Sequence, residues 1–236
     1  ARKVVFERDF LRSQMLLHGE REVCAALYGC VIGGDHSSAI GTWSGVSTAQ
    51  QAPIGLIYVD AHIDAHTPET SPSLNIHGMP IASLLGHGPK ELTSIGRSDP
   101  KIDPKHLVLV GIRSYEQEEY DLLKALNVRI ILMEEVLDRG LTDVLREAVN
   151  IATNPNGYGL SIDLDAFDPS ETPGVSCPVP NGLRSNDFFT AIKEVDLNPL
   201  GLEIVEFNPQ QDQNNKTEKM ITKLISALYA LSPVNS

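Results

Sequence analysis

The stretch Ile54-Gly55-Leu56-Ile57-Tyr58-Val59-Asp60-Ala61-His62-Ile63-Asp64 decides how the rest of this chain is read. Its first six residues form an apolar run, which reads as a strand too apolar to be exposed on either face. Side chains at i, i+2 and i+4 of a strand share a face. If strand geometry persists, Asp60, His62 and Asp64 project together. Two carboxylates side by side at a buried strand end are costly without a positive partner. A divalent metal ion is the simplest such partner, so this stretch reads as half of a metal site.

Similar runs recur outward from it, at Cys30-Val31-Ile32, Leu107 to Ile112, Val128 to Met133, Tyr158 to Leu164 and Leu202 to Phe207. Helical periodicity lies between several of them. Leu141, Val144, Leu145, Ala148 and Val149 follow a helical repeat, as do Met220, Ile221, Leu224, Ile225 and Leu228. Asn215 and Glu218 are spaced as a capping box for the latter. Tyr120 to Leu126 reads as a shorter helix. Continuously apolar strands alternating with helices predict an α/β fold, a mainly parallel sheet covered on both faces in three α/β/α layers. No linker, repeat or low-complexity segment divides residues 1–236, which read as a single domain. Proline- and glycine-rich stretches, Pro68 to Pro80 and Pro169 to Gly182, follow strands, at the sheet edge where ligands bind.

Bulk properties narrow the function. A net charge of -12 argues against nucleic acid and against an anionic membrane surface as partners. No run approaches a membrane span, and the opening residues Ala1-Arg2-Lys3 carry no signal features and need not be the native start. Cys24, Cys30 and Cys177 have no ligand-like spacing and read as reduced thiols of a cytoplasmic protein. Cys177 lies near the candidate site, but no histidine-paired context marks it as a nucleophile.

The other half of the site is found at other strand ends. Gly33-Gly34-Asp35-His36-Ser37 follows the first run, Ser161-Ile162-Asp163-Leu164-Asp165 closes the fifth, and Glu206 follows Val205. Taken singly, these read as a turn with a capping aspartate, a turn or cap pair, and a surface or salt-bridged acid. Taken together those readings fail, because each would have to place its charges independently at one edge. Four aspartates and two histidines without thiolate do not resemble a structural zinc site. The mixture suits Mn²⁺ or Fe²⁺, and Co²⁺, Ni²⁺ or Zn²⁺ can also bind such a set. Four carboxylates match two divalent ions better than one. Two-metal sites hold their ions about 3.5–4 Å apart and generate a bridging hydroxide nucleophile near neutral pH.

These motifs, in their order and approximate spacing, resemble the signatures of the arginase/agmatinase (ureohydrolase) family, over Val23 to Leu231. The family's first strand and glycine-rich loop are not recognisable before Val23. The resemblance implies an arginase-like fold and a centre of two Mn²⁺ ions per subunit. His36, Asp60, Asp64 and Asp163 would hold one ion, and His62, Asp60, Asp163 and Asp165 the other, with Asp60 and Asp163 bridging. It further implies hydrolysis of a guanidino or formimino group, by attack of metal-bridging hydroxide, and a homo-oligomer, trimeric or hexameric.

Within the family, Thr67 to Pro80 is similar to the arginase loop that binds a substrate carboxylate, with Ser71 and Ser73 at the matching positions. His77 matches a proton-shuttling histidine. Glu116 and Glu119 fall where arginases place acids near the substrate amino group, although a solvated first helical turn is the alternative for Glu119. Glu206 matches the acid that pairs with the guanidinium. Three positions depart from the pattern: His66 stands for asparagine at the carboxylate site, Leu74 for glycine, and Cys177 for threonine. The implied reaction converts L-arginine to L-ornithine and urea, with Asp165 and His77 handling protons and Glu206 orienting the substrate. The alternatives are another ureohydrolase (agmatinase, guanidinobutyrase or formimidoylglutamase) or a non-catalytic binding subunit of the same fold.

Overall fold

A computed structural model describes residues 29–230 of the chain. Cys24, and the ends of the resembling segment at Val23 and Leu231, lie outside those residues. The described strands are β1 (Gly29–Ile32), β2 (Ile54–Val59), β3 (Ile102–Ile112), β4 (Arg129–Leu132), β5 (Tyr158–Asp163) and β6 (Gly201–Val205). They form one sheet in the order β1-β6-β5-β2-β3-β4, and every pairing is parallel. The helices are α1 (Ser38–Gln50), α2 (Pro80–Leu84), α3 (Lys90–Thr93), α4 (Gln117–Ala125), α5 (Met133–Arg139), α6 (Leu141–Ala152), α7 (Ser185–Glu194) and α8 (Lys216–Ala230). None of them is long and apolar enough to cross a membrane.

Alternation along β2 builds the three layers. Ile57 and Val59 join Val144, Leu145 and Ala148 of α6, Phe188 of α7 and Leu224 of α8 in one buried cluster. Ile54, Leu56 and Tyr58 point the other way, into a second cluster with Trp43 of α1, Ile81 of α2 and Leu123 of α4. Both faces of the strand are therefore buried, as its unbroken apolar run requires.

Several elements differ from the sequence expectation. β3 begins at Ile102, five residues ahead of its apolar run; Asp103, Lys105 and His106 interrupt the pattern, and the register with β2 shifts between Ile102 and Leu107. α1 buries Ser38, Ser44 and Ser47 and carries glycine and threonine on its other side, so no 3.6-residue contrast marks it. The capping box expected from Asn215 and Glu218 is replaced. Asn215 has a left-handed φ of 53°, unlike an N-cap, and Asp212 accepts the N–H groups of Thr217 and Glu218 instead.

The topology places the site. From β2 the chain proceeds to β3 and β4 on one side, whereas β5 and β6 fill the other side out to β1. Connections leaving β2 and β5 thus diverge, which opens a crevice at their carboxyl ends. Val59 is the register partner of Ile162, so Asp60 and Asp163 emerge side by side. β6 and β1 follow next in the sheet and carry Glu206 and His36 to the same edge.

Close contact packs the amino-terminal end of β5 against α1. A Cβ on Gly159 would meet the Trp43 ring at 2.1 Å. Gly159→Ala is expected to destabilise the fold by about 1–3 kcal/mol through overpacking, seen as a lower urea midpoint. An unchanged midpoint would contradict the packing.

Candidate metal centre

The strand pleat does not bring Asp60, His62 and Asp64 together, contrary to the alternation expected from the sequence. β2 ends at Val59, and the chain then curls, with Asp64 at a φ of 54°. The His62 N–H donates to Asp60 Oδ1 at 2.7 Å, and the N–H groups of Arg113 and Ser114 donate to Ala61 O. Asp165 likewise sits in a 3₁₀ turn (Leu164–Ala166), its N–H donating to Asp163 Oδ1 at 2.7 Å. Glu206 is buried and has a φ of 64°, and its Oε1 accepts the His36 N–H at 2.9 Å. Left-handed non-glycine residues cost of order 1–3 kcal/mol each and persist where their surroundings over-determine them. Two of them hold acids of this site.

His36 is the centre of one group. Its Nδ1 lies 3.0 Å from Asp60 Oδ2, 3.0 Å from Asp163 Oδ2 and 3.3 Å from Asp64 Oδ2. Its Nε2 lies 3.1 Å from Ser161 Oγ, which donates to Glu203 Oε2 at 2.9 Å. The Ser161 proton is thereby committed to Glu203, so Ser161 Oγ accepts from His36 Nε2–H and the lone pair of the neutral ring lies on Nδ1. Nδ1 and Asp60 Oδ2 are both buried without a hydrogen bond of acceptable geometry. A ring nitrogen and three carboxylate oxygens converging on one point, two of these atoms unpartnered, fit a divalent cation.

The second group shares Asp60. His62 Nδ1 lies 3.5 Å from Asp60 Oδ1 and 3.2 Å from Asp165 Oδ2. The two oxygens of Asp60 thus face two imidazoles, and the sets His36–Asp60–Asp64 and Asp60–His62–Asp165 each converge closely enough to hold an ion. Asp163 joins the first set through its contact with His36.

Charge crowding is visible in the proton affinities. Burial, reinforced by Asp165 and Asp60, pushes the Asp163 carboxyl well above the carboxylate range, and burial with Asp60 pushes Asp165 up to about 6. Burial would lower the imidazoles, but the surrounding aspartates outweigh it. They raise His36 well above its ordinary value and His62 to about 12.

Around the aspartates stand residues that the motifs did not reveal. The Tyr58 hydroxyl donates to Asp64 Oδ2 at 2.8 Å, and its ring stacks on His36 at 4.4 Å. Glu203, fully buried, accepts from Ser38, Thr42, Trp43 and Ser161. The Arg113 guanidinium donates to the carbonyls of Gly111, Asp165, Ala166, Val179 and Pro180, which braces the turn that carries Asp165. A signal for Tyr58 and Ser161 was present: they precede Asp60 and Asp163 by two, the strand period.

The remaining sequence candidates border the same crevice. His77 Nδ1 lies 3.7 Å from Glu206 Oε1, and the nearby Glu206 carboxylate raises its pKa. Ser71 and Ser73 accept the N–H groups of Leu74 and Asn75 and keep their hydroxyl protons free to donate outward. Glu116 and Glu119 form a capping box at the start of α4. Glu119 is buried rather than solvated. Its carboxyl accepts the Ala65 and Glu116 N–H groups, and burial pushes its pKa up to about 8. His66 is buried against both acids, with Nε2 3.1 Å from Glu116 and 3.4 Å from Glu119. The Cys177 thiol is exposed, and partial burial followed by Glu206 raises its pKa, the reverse of an activated nucleophile.

The family model described as "Arginase family" matches residues 11–230. The arginase of Bacillus caldovelox is 42% identical over 202 residues, which cover 84% of this chain and 67% of that protein. The arginase of Brevibacillus brevis is 38% identical over 208 residues, covering 87% and 70%. The crystal structure of arginase from Bacillus cereus superposes with a TM-score of 0.85 at 34% identity, covering 94% of this chain and 75% of that one.

A cation bound by His36 and His62 needs both rings deprotonated, against the aspartates that raise their proton affinity. Metal loading is therefore expected to release protons, and affinity should fall as pH drops through about 6, where Asp165 also protonates. Calorimetry in buffers of different ionisation enthalpy checks this. Binding without proton release would contradict the raised proton affinity of the two histidines.

Proposed function

We propose, from the premise that this chain belongs to the arginase family, that it hydrolyses the guanidino group of L-arginine to urea and L-ornithine. The observation that carries this reading is the shared Asp60, whose two oxygens face the imidazoles of His36 and His62 at the crevice between β2 and β5. The cofactor proposed is two Mn²⁺ ions, held by His36, Asp60, Asp64 and Asp163 and by His62, Asp60, Asp163 and Asp165, which suits this oxygen-rich, thiolate-free donor set. When bound, such ions supply Lewis acidity and a nucleophilic hydroxide near neutral pH.

The chain's own residues bind, orient and move protons. Glu206, buried and anchored by the His36 N–H, accepts from the guanidinium and turns its carbon towards the aspartates. Asp165 stands next to that carbon and hydrogen-bonds the group as it becomes tetrahedral. The departing amine takes its proton from Asp165 or His77. The His77 side chain is 36% exposed, so it can exchange protons with solvent while its Nδ1 faces Glu206. Ser71 and Ser73 donate to the substrate carboxylate, and Glu116, 57% exposed, accepts from its ammonium group.

Urea release from L-arginine, agmatine and guanidinobutyrate, and formamide release from formimidoylglutamate, by one Mn-loaded preparation tests the reading. L-Arginine is expected to exceed the other three. Equal rates on agmatine, or no product from any of them, would overturn it. Asp60→Ala should lose both ions and activity. Glu206→Gln should keep its metal but lose a buried charge pair with substrate, costing on the order of 2–5 kcal/mol. That corresponds to a fall of at least about thirtyfold in kcat/KM.

A further inference from the structure

His66 is held from every side. Its N–H donates to Gly78 O at 2.9 Å, its Nδ1 lies 3.1 Å from Thr70 Oγ1, and its Nε2 reaches Glu116 and Glu119. The side chain is only 8% exposed, so neither ring nitrogen is available to a substrate without breaking an internal contact. Thr70 in turn closes the loop on itself, its Oγ1 accepting the Thr67 N–H, while Ser71 N–H donates to Thr67 O. Among the described residues, the hydrogen bonds that join segment 66–75 to the acids of α4 run through this one ring.

The segment needs such an anchor. Leu74 is 63% exposed and has a φ of 59°, which an L side chain rarely adopts. Ser73 and Asn75 are exposed as well. The segment offers hydroxyl donors at Ser71 and Ser73, and Glu116 offers a half-open carboxylate. Donors suit an anion and the carboxylate suits an ammonium, so a zwitterion is recognised only if the two are correctly spaced.

We propose that His66 is a positioning residue, which ties the Thr67–Asn75 segment to Glu116 and thereby sets selectivity for a guanidino substrate bearing a carboxylate and an ammonium on one carbon. The inference rests on the arginine-hydrolysing reading above. His66 does not touch substrate. It acts through Thr70 and Glu116.

Two variants separate the contacts. His66→Phe fills the space without hydrogen bonds, and His66→Gln reaches towards Glu116. On the Mn-loaded enzyme, His66→Phe is expected to raise KM for L-arginine about tenfold, the effect of one lost hydrogen bond to a charged group. The fall in kcat should be smaller, the inhibition constant of agmatine should move less than about twofold, and His66→Gln should recover part of the loss. Hydrogen exchange of the 67–75 amides should quicken in His66→Phe. Parallel changes for L-arginine and agmatine, loss of bound manganese, or unchanged KM and exchange would overturn the inference. If the wild-type enzyme releases no urea from L-arginine, the functional reading falls, and the exchange measurement still decides whether His66 anchors the segment.

Discussion

Five carboxylates gathered at one buried sheet edge are the constraint on which the rest depends. Asp60, Asp64, Asp163, Asp165 and Glu206 repel one another, and burial removes the water that would screen them. Two imidazoles within about 3.5 Å answer part of that charge. The remainder requires protons or metal ions. The parallel topology makes the gathering possible, because only adjacent strand ends at a switch point can deliver these groups from four separate segments.

Holding such a cluster requires a rigid frame, and much of this structure is that frame. The path from His36 through Ser161 to Glu203 fixes which ring nitrogen faces the aspartates, and α1 supplies three of the four donors that satisfy Glu203. Such outer partners commonly influence metal affinity tenfold to about a hundredfold. Tyr58 links the apolar layer to Asp64, and Arg113 ties the turn behind Asp165 to two other loops. The left-handed backbone at Asp64 and Glu206 shows the same thing from the cost side, since strain of this kind survives only where neighbours enforce it.

Much of this was legible in the sequence, for physical reasons that differ by element. β2 and β5 were legible because burial on both faces demands an unbroken apolar run. The ligand candidates were legible because charges abutting such runs have no ordinary explanation. The way they meet was not: alternation along a strand implied one face, whereas a curl after Val59 and a turn after Asp163 bring the side chains together. α1 was hidden by its small polar residues, and Glu203 by lying inside a run that otherwise reads as core. His66 was legible as a residue of the loop, and its contacts with Thr70, Glu116 and Glu119 are visible only in the folded distances.

The central claim is that Asp60 joins two cation sites into one. Electron paramagnetic resonance on the manganese-loaded protein, with the metal content of the same sample, tests it most directly. Ions that share a carboxylate about 3.5–4 Å apart are exchange-coupled. The account predicts two manganese ions per chain and a spin-coupled spectrum. One ion per chain, or two giving only the signal of isolated Mn²⁺, would contradict it.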